Sequence, residues 1–143
     1  MQGDGQVLQN AVSAMETGEH LQSFYPVSGG DISRAYRLET NRSIYFAKIN
    51  ERVSSDFFQK EALGLQTLQK AGALVPQVFY VQDEPGVIIM EWIEGEKHVK
   101  AEEELGRRLA LIHSEPNSYY GFQTDNYIGK LPQPNGSYKE WIL

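Results

Sequence analysis

Val7, Leu8, Ala11, Val12 and Met15 recur at three- and four-residue spacing, which predicts an amphipathic helix. Asp4 stands before it as a candidate N-cap and Gly18 after it as a stop. Three strand-like runs follow. The first, residues 21–27, contains Pro26, whose missing N–H suits a sheet edge. The second is residues 35–39. The third, residues 43–49, is β-branched and aromatic. Ser28-Gly29-Gly30-Asp31 separates the first two, and Thr40-Asn41-Arg42 has turn chemistry. A helix is predicted over residues 55–71, with Phe58, Ala62, Leu65 and Leu68 as its apolar stripe and Gly72 at its end. Residues 75–81 and 87–92 read as two more strands around a turn at 83–86. A further helix over residues 101–113 carries Leu105, Leu109 and Ile112 on one face. Residues 114–136 read as a long loop. Ser137 and Glu140 then have capping-box spacing ahead of Trp141, Ile142 and Leu143, so a helix is expected to begin there.

This order predicts an α+β fold, a five-stranded antiparallel sheet packed on the inserted helix. The break at Glu94-Gly95 divides the chain into residues 1–93 and residues 94–143.

A length of 143 residues suits one domain. With 41% hydrophobic and 22% charged residues, a packed core is expected rather than a disordered chain. The net charge is −6, and Lys and Arg do not gather beyond the pair Arg107-Arg108, so no nucleic-acid partner is expected. The chain has no cysteine, which excludes disulfides and thiolate metal sites. No apolar run has the length of a membrane span, and the polar first residues do not read as a secretory signal. A cytoplasmic location and no membrane partner are the expectations.

Candidate chemistry lies in three features in order. Gly29-Gly30 sits between the first two strands, Lys48 in the third, and Glu61 in the helix after it. Phosphoryl transfer needs backbone donors and positive charge around phosphates more than it needs covalent help. Glycines let backbone approach oxygen atoms closely. A strand lysine gives a fixed charge, and a helix carboxylate can aim it. Taken singly, the glycine pair reads as an ordinary turn and the two charges as solvated residues. Ala47 and Ile49 flank Lys48, which should therefore face away from them. Glu61 borders the apolar stripe, where a charge wants a partner. The apolar strand entering Met90, Glu91, Trp92 and Ile93 suits a hinge whose backbone meets an adenine edge. No G-x-x-x-x-G-K-[ST] loop is present. His20, His98 and His113 lack metal-ligand spacing, and no metal site is expected on this chain.

The residues 28–38 segment, Phe46-Ala47-Lys48-Ile49-Asn50 and the residues 58–65 segment resemble the phosphate loop, lysine strand and following helix of the fructosamine (ketosamine) kinase family. Tyr120-Gly121-Phe122, Asp125-Asn126-Tyr127-Ile128-Gly129 and Pro132-Gln133-Pro134-Asn135 resemble a loop more specific to that family. The resemblance implies a protein-kinase-like N-lobe with the beginning of a helical C-lobe. It implies ATP and Mg²⁺ as cofactors and a glycated amine as the substrate phosphorylated on its sugar. Lys48 and Glu61 would be the ion pair, Gly29, Gly30 and Asp31 the phosphate loop, and Met90, Glu91, Trp92 and Ile93 the hinge. Asp125 and Asn126 would lie on the substrate side. The family's His-Gly-Asp-Leu-Trp segment and Asp-Pro-Ala metal motif do not occur in this sequence. The catalytic base and Mg²⁺ ligands are therefore expected outside this chain, which alone should be inactive and prone to self-association. Ser33 stands where many relatives carry Asn. Two alternatives stay open: a small-molecule kinase of the aminoglycoside or choline type, and a non-catalytic nucleotide- or partner-binding module.

Overall fold

A computed structural model describes residues 3–28, 32–96, 99–118 and 121–135. Helix α1 (Asp4–Ala14) precedes strands β1 (Leu21–Val27), β2 (Arg34–Thr40) and β3 (Ile44–Asn50). Helix α2 (Phe57–Lys70) leads into β4 (Val78–Gln82) and β5 (Gly86–Glu91), and α3 (Ala101–Ser114) precedes a small hairpin of β6 (Asn126–Ile128) and β7 (Leu131–Gln133). The five long strands form one antiparallel sheet in the order β1-β2-β3-β5-β4. Pro26 lies on an edge strand of this sheet, where its missing donor costs least.

Alternation along the central strands builds two half-cores. Ala47 and Ile49 of β3 and Val87 and Ile89 of β5 meet Val7, Leu8, Ala11 and Val12 of α1. Ile88 and Met90 of β5 meet Phe58 and Ala62 of α2, with Phe46 and Leu65 at the border. Helices thus cover both faces, and β5 is buried throughout from Gly86 to Met90. Burial of each large side chain contributes roughly 1.5–3 kcal/mol. Gly86 is required where it stands: a Cβ there would lie 2.6 Å from the Asn50 carbonyl oxygen.

Several expectations are corrected. Asp4 is the first helical residue, not the N-cap, and Gly3 occupies the cap in an extended conformation. The Asp4 carboxylate instead accepts hydrogen bonds from Arg34, at 2.7 and 2.9 Å, and from Tyr36. The second helix begins at Phe57, where the Phe57 N–H bonds back to the Ser54 carbonyl. The fourth strand begins at Val78 rather than at 75, because Pro76 brings no donor to the ladder. Trp92 lies just beyond β5.

The predicted stripe of α3 is not a buried one. Leu105 and Leu109 are exposed, and no α3 residue is buried. The helix is tied to the rest through Arg108, which donates to the Gly72 carbonyl at 3.0 Å. Its outer face carries the pairs Arg107–Glu103 and Arg108–Glu104. The long loop expected over 114–136 contains the β6–β7 hairpin, turned at Gly129 with φ +58°. The helix expected from Ser137, with Trp141, lies outside the described residues.

Candidate active site

Lys48 sits on β3 between Ala35 of β2 and Ile88 of β5. Its neighbours Ala47 and Ile49 face α1, so Lys48 projects toward α2 as expected. Phe58, Ala62 and Leu65 seat α2 on the sheet, which leaves Glu61 at the border of that contact. The Lys48 ammonium donates to the Glu61 carboxylate at 2.6 Å, with both side chains about one-quarter exposed (26% and 25%). A charge-assisted bond of this length fixes direction as well as charge.

The pair closes one side of a cleft of about 520 Å³, within the usual size of small-molecule sites. Val27, Phe46, Leu65 and Met90 give it apolar walls, and Glu91, Trp92 and Ile93 form its rim. All four residues predicted as a hinge therefore line the space that Lys48 and Glu61 line. An apolar, flat group fits the walls, and an anionic group fits beside the ammonium.

The rim is held in place by its own contacts. The Glu91 N–H donates to the Gln77 carbonyl at 2.8 Å, and a Glu91 carboxylate oxygen accepts from the Gln77 N–H at 3.1 Å. The Trp92 indole N–H donates to Glu94 at 3.0 Å. The Arg37 guanidinium lies 5.4 Å from the Trp92 ring centroid and pairs with Glu39.

Gly29, Gly30 and Asp31 lie outside the described residues. The segment's entry, Ser28, lines the cleft. Its return is anchored by Asn50, whose amide donates to the Ile32 carbonyl and, at 3.2 Å, to the Ser33 hydroxyl. Asn50 also accepts the Arg52 N–H at 2.9 Å, and its side chain is buried. Sequence reasoning gave Asn50 no role. The available signal was an amide side chain directly after the apolar Ile49 at the end of the strand.

Asp125 and Asn126 do not line the cleft. Asp125 accepts the Asn135 N–H at 2.7 Å, which closes the base of the hairpin. Asn126 borders a second cavity of about 330 Å³ between α2 and the hairpin, which shares Glu61 and Leu65 with the cleft. Beside Glu61, Lys60 pairs with Asp56 at 3.0 Å. The hydrogen bond from Lys60, followed by one from Ser54, holds the Asp56 carboxyl below the ordinary carboxylate range. Among the described residues, no three His, Asp or Glu side chains gather in a way that could hold a metal ion.

A sequence profile described as fructosamine kinase matches residues 5–143. A protein named as a ketoamine kinase from Enterococcus faecium is 36% identical over 118 residues, covering 81% of this chain and 42% of that protein. The chloroplastic protein-ribulosamine 3-kinase of rice (Oryza sativa subsp. japonica) is 37% identical over 122 residues, covering 81% of this chain and 36% of its own length. The chain thus spans less than half the length of these relatives. A solved structure described as a fructosamine-3-kinase from Thermobifida fusca superposes with a TM-score of 0.74 at 28% identity, covering 92% of this chain and 48% of that one. A second, from Haemophilus somnus, gives a TM-score of 0.76 at 22% identity, covering 96% and 47%, and supports the fold alone. The fold is protein-kinase-like, as the resemblance to the family implied. With a profile match across almost its whole length, the chain belongs to the fructosamine kinase family.

Proposed function

We propose that this chain forms the nucleotide-binding part of an ATP-dependent kinase that phosphorylates a sugar hydroxyl of a glycated amine. The observation that carries this reading is the Lys48–Glu61 bond at the edge of an apolar-walled cleft. The adenine would lie against Phe46, Leu65 and Met90, with its edge toward the backbone of Met90, Glu91, Trp92 and Ile93. The phosphates would pass Lys48, with Gly29, Gly30 and Asp31 in the proposed role of phosphate loop. In the reaction ATP supplies the phosphoryl group: a substrate hydroxyl oxygen bonds the γ-phosphorus, the bond to the ADP oxygen breaks, and the hydroxyl proton leaves to a base. Lys48 offsets phosphate charge but cannot take that proton while charged, and Glu61 is occupied with Lys48.

The names of two relatives, a ketoamine kinase and a protein-ribulosamine 3-kinase, support a glycated amine as the substrate. Phosphorylation of such an adduct would begin its removal, a deglycation. Among the described residues no cluster of three His, Asp or Glu side chains could hold the Mg²⁺ of the reaction. By itself the chain would bind nucleotide, weaker than about 1 μM, without transferring phosphate. The reading places it in the cytoplasm, where ATP is available. No helix among the described residues is long and apolar enough to cross a membrane. Calorimetric titration with ATP, alongside an ATP-turnover assay on a fructosamine substrate, tests the reading. Saturable ATP binding without turnover is the expected result; no binding, or turnover well above background, contradicts it.

A further inference from the structure

The β6–β7 hairpin meets α2 on a flank beside the stripe that seats the helix on the sheet. Phe57, Lys60, Glu61 and Gly64 share one helical face, at spacings of three, four and seven residues. Tyr127 of β6 covers the first half of that face. Its ring centroid lies 5.4 Å from that of Phe57, and the Lys60 ammonium lies 5.0 Å from the Tyr127 ring centroid. Its hydroxyl is 2.7 Å from the Ser54 hydroxyl and donates to Asp56 at 3.3 Å. The hairpin that carries it is closed by bonds of its own, from the Asn135 N–H to Asp125 and from the Asn135 amide to the Phe122 carbonyl.

A helix seated on a sheet by one stripe is fixed across that stripe, but it can still roll or slide along it. Phe58, Ala62 and Leu65 are that stripe in α2. Tyr127 adds a contact on a different face, and its four partners all fall on residues 54–60, immediately before Glu61. A roll of α2 that carried Glu61 away from Lys48 would have to break this set. We infer that Tyr127 is a positioning residue: the hairpin clamps the first turn of α2 and so keeps Glu61 on Lys48. This rests on the proposed role of that pair in phosphate binding, but the clamp itself is a statement about α2 and can be tested without a nucleotide.

The test uses this chain with ¹⁵N-labelled lysine side chains. An ammonium held by a carboxylate exchanges its protons slowly enough to be seen by NMR, and the Lys48 signal is assigned by its loss in Lys48→Arg. The signal should be present in the unsubstituted chain and lost in Glu61→Gln. In Tyr127→Leu its exchange with solvent should be about fivefold faster, the effect of losing one net hydrogen bond's worth of restraint. Tyr127→Phe, which keeps the ring against Phe57 and Lys60, should recover part of the protection. Urea unfolding of the same variants separates a local effect from general loosening, because the five-stranded core does not include the hairpin. Should Tyr127→Leu fail to fold, Ser54→Ala asks the same question by removing only the partner at 2.7 Å. Unchanged Lys48 exchange in folded Tyr127→Leu overturns the clamp, and so does a Lys48 signal that survives Glu61→Gln or is absent from the unsubstituted chain. ATP titration of the Lys48 signal is scored separately. A signal indifferent to ATP counts against the nucleotide reading and leaves the exchange comparison to judge the clamp.

Discussion

Lys48 stands on a central strand of a sheet buried on both faces, and α2 brings it a carboxylate at 2.6 Å. Replacing Glu61 by Gln keeps the shape and removes the charge that aims the ammonium. ATP affinity should fall about fivefold, with stability changing by less than about 1 kcal/mol because both groups are partly solvated. Calorimetry and urea unfolding on one preparation read the two effects. Asp4 makes a different prediction. Its hydrogen bond with Arg34 holds its carboxyl below the ordinary aspartate range, against the opposing effect of burial. A depressed carboxylate contributes stability above its unfolded pKa and loses it as pH falls through the folded one. Asp4→Asn should therefore cost about 1 kcal/mol at neutral pH and nothing once the pH lies below both values. Parallel unfolding curves with the same difference at neutral and strongly acid pH would contradict this role.

At the scale of elements, α2 positions the candidate site through very few side chains. Phe58 is 1% exposed and packs with Ala62 against Ile88 and Met90. Phe58→Ala should cost about 3–5 kcal/mol in urea unfolding, and it should loosen the Lys48–Glu61 pair along with the helix. Gly86→Ala should cost about 1–3 kcal/mol, since the new Cβ would press on the Asn50 carbonyl. The five long strands and the helices were legible because each carries a clear period and a stop: β5 is a continuous apolar run, and α2 has apolar positions 58, 62 and 65. The small hairpin was not legible. Three-residue strands show too little alternation, and Pro132 argues against a strand. The Lys48–Glu61 contact could be anticipated because both residues border apolar positions. The Tyr127 contacts could not, since more than sixty residues separate Tyr127 from Ser54 and Phe57 and no local pattern joins them.

At the scale of the whole molecule, the sheet and α2 form a packed body, while α3 presents its leucines to solvent. Leu105 is 59% exposed and Leu111 is 54% exposed, with Leu109 and Val99 also exposed. Apolar surface of this kind favours association, so the chain should scatter light as a dimer or larger species. Leu105→Glu combined with Leu109→Lys should shift it toward monomer; a monomer before substitution would contradict the expectation. The cleft beside Lys48 is proposed to bind ATP. Calorimetric titration of ATP into this chain and into Lys48→Met tests it most directly. Saturable binding weaker than about 1 μM, reduced at least about tenfold by Lys48→Met, is the predicted result. Equal affinity in the two proteins, or no binding to either, would contradict it.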